Sequence, residues 1–116
     1  MIFPALIYKK TYRRGARVFY IFTLANIYPD PIAGGGSHIL GVRRVFTPDG
    51  NEVSAAGLRQ IGSFGGITEN SLIDVIFPID TKARPFTSSG VYTLEFGQNI
   101  DSKWDSNVVV VKVRVR

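Results

Sequence analysis

The chain has no cysteine, a single histidine and a single tryptophan in 116 residues. Without cysteine there is no disulfide framework and no thiolate zinc site, so a hydrophobic core must hold the fold alone. The lone histidine, His38, leaves little room for imidazole chemistry. A triad needs a nucleophile and an orienting carboxylate around the ring. Ser37 is adjacent, but neighbours on a strand point to opposite faces. A structural, hydrogen-bonded histidine is the expectation. Long apolar runs are also missing. The longest apolar-rich stretch, residues 18–28, falls short of the ~20 residues that span a bilayer as a helix. In MIFPALIYKKTYRRG, at 1–15, the charges follow the apolar residues, the reverse of a secretory signal. A cytoplasmic protein, or a component of a virion, is expected, with no membrane partner.

Acidic residues are scarce at the start of the chain. None precedes Asp30, whereas Lys9, Lys10, Arg13, Arg14 and Arg17 all do. The net charge of +5 therefore arises in one N-terminal arm, and a second basic cluster, Lys112, Arg114 and Arg116, ends the sequence. Localised cations of this kind bind nucleic acid or acidic partners, or they guard exposed strand edges against aggregation. Edge protection is the simpler expectation.

What remains is ordinary globular material, 45% hydrophobic and 20% charged, in a length that suits one domain, residues 1–116. The stretch VVVVKVRVR at 108–116 is the clearest local signal. Val109, Val111, Val113 and Val115 share one parity, and Lys112, Arg114 and Arg116 the other. Period-two alternation makes this a strand with an apolar face and a cationic face. Similar segments, separated by turn residues, place strands at 2–8, 17–28, 38–46, 51–55, 58–64, 71–79, 90–97 and 107–116. Between them lie PDPIAGGGS at 29–37, TPDGN at 47–51, Gly65-Gly66, TKARPFTSS at 81–89 and GQNIDSKWD at 97–105. SAAGLRQIG at 54–62 has room for one helical turn. Short strands at such intervals predict an all-β, single antiparallel β-sandwich of about seven to eight strands.

Parity also predicts the core. Ile73, Val75, Phe77 and Ile79 share a face, with Asp74 opposite. Tyr92, Leu94 and Phe96 point inward, while Thr93 and Glu95 point out. Strand 17–28 differs, because both of its faces are apolar. Val18, Tyr20, Phe22 and Leu24 make one face, and Phe19, Ile21, Ala25 and Ile27 the other. A strand wetted on one side should alternate more cleanly. The second face needs a cover, from the chain itself or from a partner.

Asn70 to Ile73 opens a strand, and Phe86, Gly90, Tyr92, Leu94 and Phe96 follow as F-x3-G-x-Y-x-L-x-F, after His38, Leu40, Val42 and Pro48-Asp49-Gly50. This order resembles the ending of many immunoglobulin-like sandwiches, where a G-x-Y strand precedes the last strand. It is also similar to a group of small, uncharacterised bacterial proteins. The resemblance covers about residues 25–97 and implies a fold, without catalytic residues. True immunoglobulin domains pair two cysteines around a core tryptophan. This chain has no cysteine, and Trp104 falls in a segment read as a loop.

Other chemistries are poorly served. Gly34-Gly35-Gly36-Ser37 precedes a strand, whereas phosphate-cradling loops need a helix N-terminus. Asn99, Asp101, Asp105 and Asn107 offer oxygen ligands, but Lys103 lies among them and no bidentate glutamate completes a calcium set. Tyr8, Tyr12, Arg13, Arg14, Arg17 and Tyr20 interleave rings with cations, a combination that can stack bases and neutralise phosphates.

The expected function is non-enzymatic: a protein-interaction or structural module that self-associates as a homo-oligomer or joins a larger assembly. It needs no cofactor, metal or catalytic residue. Phe19, Ile21 and Trp104 are the expected interface residues. The alternative is nucleic-acid binding by a basic patch of Lys9, Lys10, Arg13, Arg14, Lys112, Arg114 and Arg116. That patch is united if the first and final strands lie side by side.

Overall fold

Gly15 adopts φ 60° between Arg14 and Arg17, the last paired residues of two adjoining strands. A two-residue hairpin needs positive φ in its turn, which glycine supplies without a Cβ clash. The chain thus folds back from β1 (Ala5–Arg14) into β2 (Arg17–Asn26). The computed structural model describes residues 5–15, 17–26, 38–58, 61–62, 71–100, 103–104 and 108–116. The remaining strands are β3 (His38–Phe46), β4 (Glu52–Val53), β5 (Ile61–Gly62), β6 (Ser71–Asp80), β7 (Gly90–Ile100), β8 (Lys103–Trp104) and β9 (Val109–Val115). No helix occurs among the described residues.

Two antiparallel sheets result. The first has the order β1-β2-β6. In the second, β3 and β7 pair at the centre; β4 and β5 join β3, while β8 and β9 join β7. Consecutive strands switch sheets at β2 to β3, at β5 to β6 and at β6 to β7.

One core lies between the sheets. Val18, Tyr20, Phe22 and Leu24 of β2 and Phe77 and Ile79 of β6 meet Leu40, Val42 and Val45 of β3, Tyr92, Leu94 and Phe96 of β7, and Val111 and Val113 of β9. Phe96 is its hub. Its ring centroid lies 4.6 Å from that of Phe22, 5.0 Å from Phe77 and 6.1 Å from Tyr20. Edge-on and tilted aromatic pairs at these separations add to the burial of their area. The Tyr20 hydroxyl also crosses to the second sheet and donates to the Lys112 carbonyl at 3.3 Å.

The segment between β6 and β7 is held by its own bonds. Ala83 N–H donates to the Asp80 carbonyl and Phe86 N–H to the Ala83 carbonyl, both at 3.0 Å. Phe86 is thereby carried into the core, edge-on to Tyr92 at 5.0 Å. The Tyr92 hydroxyl donates to the Ser88 carbonyl and accepts from the Ser88 N–H, each at 3.1 Å. Side-chain hydrogen bonding with Ser88 leads in lowering the phenol pKa, against burial, which raises it. Gly90 opens β7 at φ 132°, and a Cβ there would stand 2.6 Å from the Pro48 ring.

Parity places the inner residues of β2, β6, β7 and β9 inside, except that Val75, Val109 and Val115 are half-buried and that Thr23 and Ala25, of the other parity on β2, are buried as well. Asp74 is exposed, Thr93 and Glu95 are half-buried, and Lys112, Arg114 and Arg116 are exposed. Ile73 lies in β6, but its side chain is outside the described residues, as is the Gly65-Gly66 turn. Several boundaries differ. The first strand runs to Arg14 rather than ending at Tyr8, because pairing with β2 extends through the cations. The turn expected at 97–105 gives way to strand: β7 continues to Ile100, and Trp104 belongs to β8. Segment 51–55 shrinks to the two-residue β4, and within 58–64 the described residues Ile61–Gly62 form β5. At 47–51 the turn forms as expected, with Gly50 N–H donating to the Thr47 carbonyl at 2.9 Å.

Candidate interaction faces

The alternation that sends Val18, Tyr20, Phe22 and Leu24 inward leaves Phe19, Ile21, Thr23 and Ala25 on the outer side of the first sheet. On β6 the same rule leaves Leu72, Asp74, Ile76, Pro78 and Asp80 outside. Register brings these residues into rows. Phe19 stands opposite Pro78, Ile21 opposite Ile76, Thr23 opposite Asp74 and Ala25 opposite Leu72. Phe19, Ile21 and Pro78 are half-buried, and Thr23 and Ala25 are buried. Leu72 is 61% exposed and Ile76 53% exposed, the two highest values among the exposed large hydrophobic residues that are described.

Polar groups interrupt and flank this apolar stripe, the Thr23–Asp74 row lying between the Ile76 and Leu72 rows. Thr23 Oγ1 donates to Asp74 Oδ1 at 2.7 Å, tying β2 to β6. Arg17 and Asp80 stand opposite each other at one end of the sheet. Apolar residues mixed with polar and charged groups in this way match the composition of protein contact surfaces.

Strand β1 completes the sheet. Lys10 occupies the register position opposite Ile21, Tyr12 that opposite Phe19, Tyr8 that opposite Thr23 and Arg14 that opposite Arg17. Lys9 and Arg13 stand opposite Phe22 and Val18. All four expected N-terminal cations, Lys9, Lys10, Arg13 and Arg14, therefore lie on a strand that pairs only with β2 among the described residues.

The outer side of the second sheet is charged and mixed in sign. An irregularity in register between Val42 and Arg44 leaves Arg43 and Arg44 both exposed between the buried Val42 and Val45. An inserted residue breaks alternation in this way and re-aims side chains. Arg44 Nε donates to Glu52 Oε1 at 2.6 Å, and Arg44 Nη1 lies 3.9 Å from Glu95 Oε2. Its guanidinium also stacks 4.8 Å above the Phe46 ring. The Glu52 hydrogen bond and charge raise the Arg44 pKa above its ordinary value. Lys112 Nζ donates to Thr93 Oγ1 at 2.7 Å, so its side chain lies back over β7. Arg114 stands opposite Val91, and Val110 opposite Glu95.

The structure does not pair the first and final strands. Strand β1 has β2 as its neighbour, and β9 has β7. The two basic clusters are thus carried on different sheets, and the single shared edge expected from the sequence is not formed. Of the expected interface residues, Phe19 and Ile21 occupy the outer face of the first sheet. Trp104 is placed in β8 by its backbone, opposite Asn99, and its side chain lies outside the described residues. The glycine loop before His38 and the Asp101, Asp105 and Asn107 segment also lie outside them. Among the described residues no three histidine, aspartate or glutamate side chains gather as metal ligands. No helix there is long and apolar enough to cross a membrane.

Leu72, Ile76 and Pro78 are the face residues that sequence reasoning missed. The available signal was the second parity of β6, which is apolar at these positions just as β2 is at Phe19 and Ile21. The sequence matches no family model and no curated protein.

Proposed function

We propose that this chain is an immunoglobulin-like β-sandwich acting as a non-enzymatic protein-interaction or structural module, through the outer face of its first sheet. Two features support the fold reading. Strand orders β1-β2-β6 and β3-β7-β9 follow the A-B-E and C-F-G pairings of such sandwiches. The Tyr92 hydroxyl bonded to the Ser88 backbone has the form of a tyrosine corner at the start of the F strand.

The functional reading rests on one observation. Leu72 and Ile76, at 61% and 53% exposure, extend the Phe19 and Ile21 face across β6 to the limit of the sheet. Exposed apolar residues beside half-buried apolar neighbours mark contact sites. The unpaired side of an edge strand adds backbone donors and acceptors.

Nucleic-acid binding by β1 and β9 is the competing reading. Against it, the two clusters lie on different sheets and Lys112 is engaged by Thr93. Edge protection also accounts for cations on both edge strands. Salt separates the two readings. Apolar association persists when charge is screened, whereas phosphate binding falls steeply. Light-scattering mass after size exclusion, at ~0.1 M and ~0.5 M salt, spans the needed change in screening. An assembled species at both concentrations supports the module. A monomer at both, with nucleic acid bound at the lower, overturns it.

A further inference from the structure

Resting on that reading, we infer that the occupant of the outer face is a second copy of this chain, turned about a two-fold axis that runs along β2. The argument is one of self-complementarity. Across Ala5–Arg14, β1 carries no carboxylate, and Lys10 and Arg14 hold the rows of the outer face, opposite Ile21 and Arg17, whereas Lys9 and Arg13 hold the rows of the core residues Phe22 and Val18. Across Ser71–Asp80, β6 carries Asp74 and Asp80 and no cation. Strand β2 lies between them, so the sheet runs from a basic side to an acidic side over two strand spacings, ~10 Å.

Only some arrangements of two copies use this polarity. Pairing β6 with β6′ edge to edge sets carboxylates against carboxylates, and pairing β1 with β1′ sets cations against cations. Like charges directly opposite are unfavourable. Stacking the faces about an in-plane axis perpendicular to the strands lays β6 over β6′ and fails in the same way. An axis along β2 instead lays each basic β1 over the acidic β6 of the other copy. Closed two-fold dimers are the commonest assemblies, and each residue contact is then made twice.

The row register sets the expected matches. Ile21 and Phe19 sit at the axis and meet their own copies. The Ile76 row position faces that of Lys10 in the other copy, and Asp80 faces that of Arg14. The two Arg17 residues approach at the sheet's end, each with Asp80 opposite on its own β6. Stacked sheets stand ~10 Å apart within about 30° of alignment, so such matches hold best near the axis. Three strands of ten residues offer on the order of 400 Å² in projection, below the ~800 Å² per partner of a standard interface. A weak dimer is therefore expected, and the measurements must reach high protein concentration.

The test is a charge swap read by sedimentation equilibrium. Ile76→Lys sets a cation against the Lys10 position of the other copy, at a site exposed enough to leave the monomer folded. It should raise the dimer dissociation constant by more than tenfold. Leu72→Lys, at the other exposed position, should weaken the dimer less, because its row faces Ala5. Adding Lys10→Glu to Ile76→Lys should restore the constant to within about threefold of wild type, since opposite charges then face one another. Thermal melts of each variant establish that it is folded. A dimeric wild type whose Ile76→Lys defect is not repaired by Lys10→Glu overturns this arrangement and leaves the module reading standing. A wild type that stays monomeric up to about 1 mM, the threshold of weak association, overturns self-association itself.

Discussion

The Tyr92 hydroxyl and the Ser88 backbone form a closed pair, the phenol donating to the carbonyl and accepting from the N–H, both at 3.1 Å. This contact fixes the last turn before β7, while Phe86 packs edge-on against the same ring. Tyr92→Phe keeps the ring and removes the oxygen. It should cost about 0.5–1.5 kcal/mol in urea unfolding, the net worth of a typical hydrogen bond. Ser88→Ala keeps both backbone bonds and should cost less. Equal losses in the two variants would contradict a backbone role for Tyr92.

Phe96 touches Tyr20 and Phe22 of β2 and Phe77 of β6 from the opposite sheet. Phe96→Ala should destabilise the fold by ~3–5 kcal/mol, as truncation of a buried aromatic does. The loss should appear equally in β2 and β7 amide exchange, because the residue joins both sheets. Protection lost in β7 alone would mean that the sheets are stabilised independently.

Gly90 combines φ 132° with a Pro48 ring carbon 2.6 Å from where a Cβ would stand. Gly90→Ala therefore meets backbone strain and a clash together, and should cost at least the ~1–3 kcal/mol typical of a strained residue. Pro48→Ala in the same chain should recover part of that loss by removing the ring. No recovery would show that the backbone conformation alone sets the penalty.

Alternation made much of the core legible in advance. Val18, Tyr20, Phe22 and Leu24, then Tyr92, Leu94 and Phe96, are all inside, because period two is imposed by the strand itself. The extent of β1 was not legible. Lys9 to Arg14 break the apolar pattern, yet an edge strand tolerates cations and even benefits from them. The paired exposure of Arg43 and Arg44 depends on one inserted residue, which alternation cannot register. Strand neighbours were equally hidden, since β1 and β9 find β2 and β7 through contacts distant in sequence. The outer face was half visible. Phe19 and Ile21 stood out in an apolar segment, but Leu72 and Ile76 became a continuation of them only through the register of β2 with β6.

The basic clusters on β1 and β9 belong to different sheets, and they should protect edges rather than read nucleic acid. Single-stranded and duplex probes titrated against wild type should show no specific binding, with any low-salt association lost on adding salt. An Arg13/Arg14/Arg114 triple alanine should behave as wild type at ~0.15 M salt, where exposed charges are screened beyond ~8 Å. Sequence-selective binding that the triple variant abolishes would move the function to the nucleic-acid reading.

The contact role of the outer face is tested most directly by comparing wild type with Ile76→Lys in sedimentation velocity at ~0.5 M salt, where charge steering is suppressed. Wild type should sediment increasingly as an assembly as its concentration rises, and the variant should remain at the 12.8 kDa of one chain. Identical monomeric profiles for the two proteins across the whole range would contradict the account.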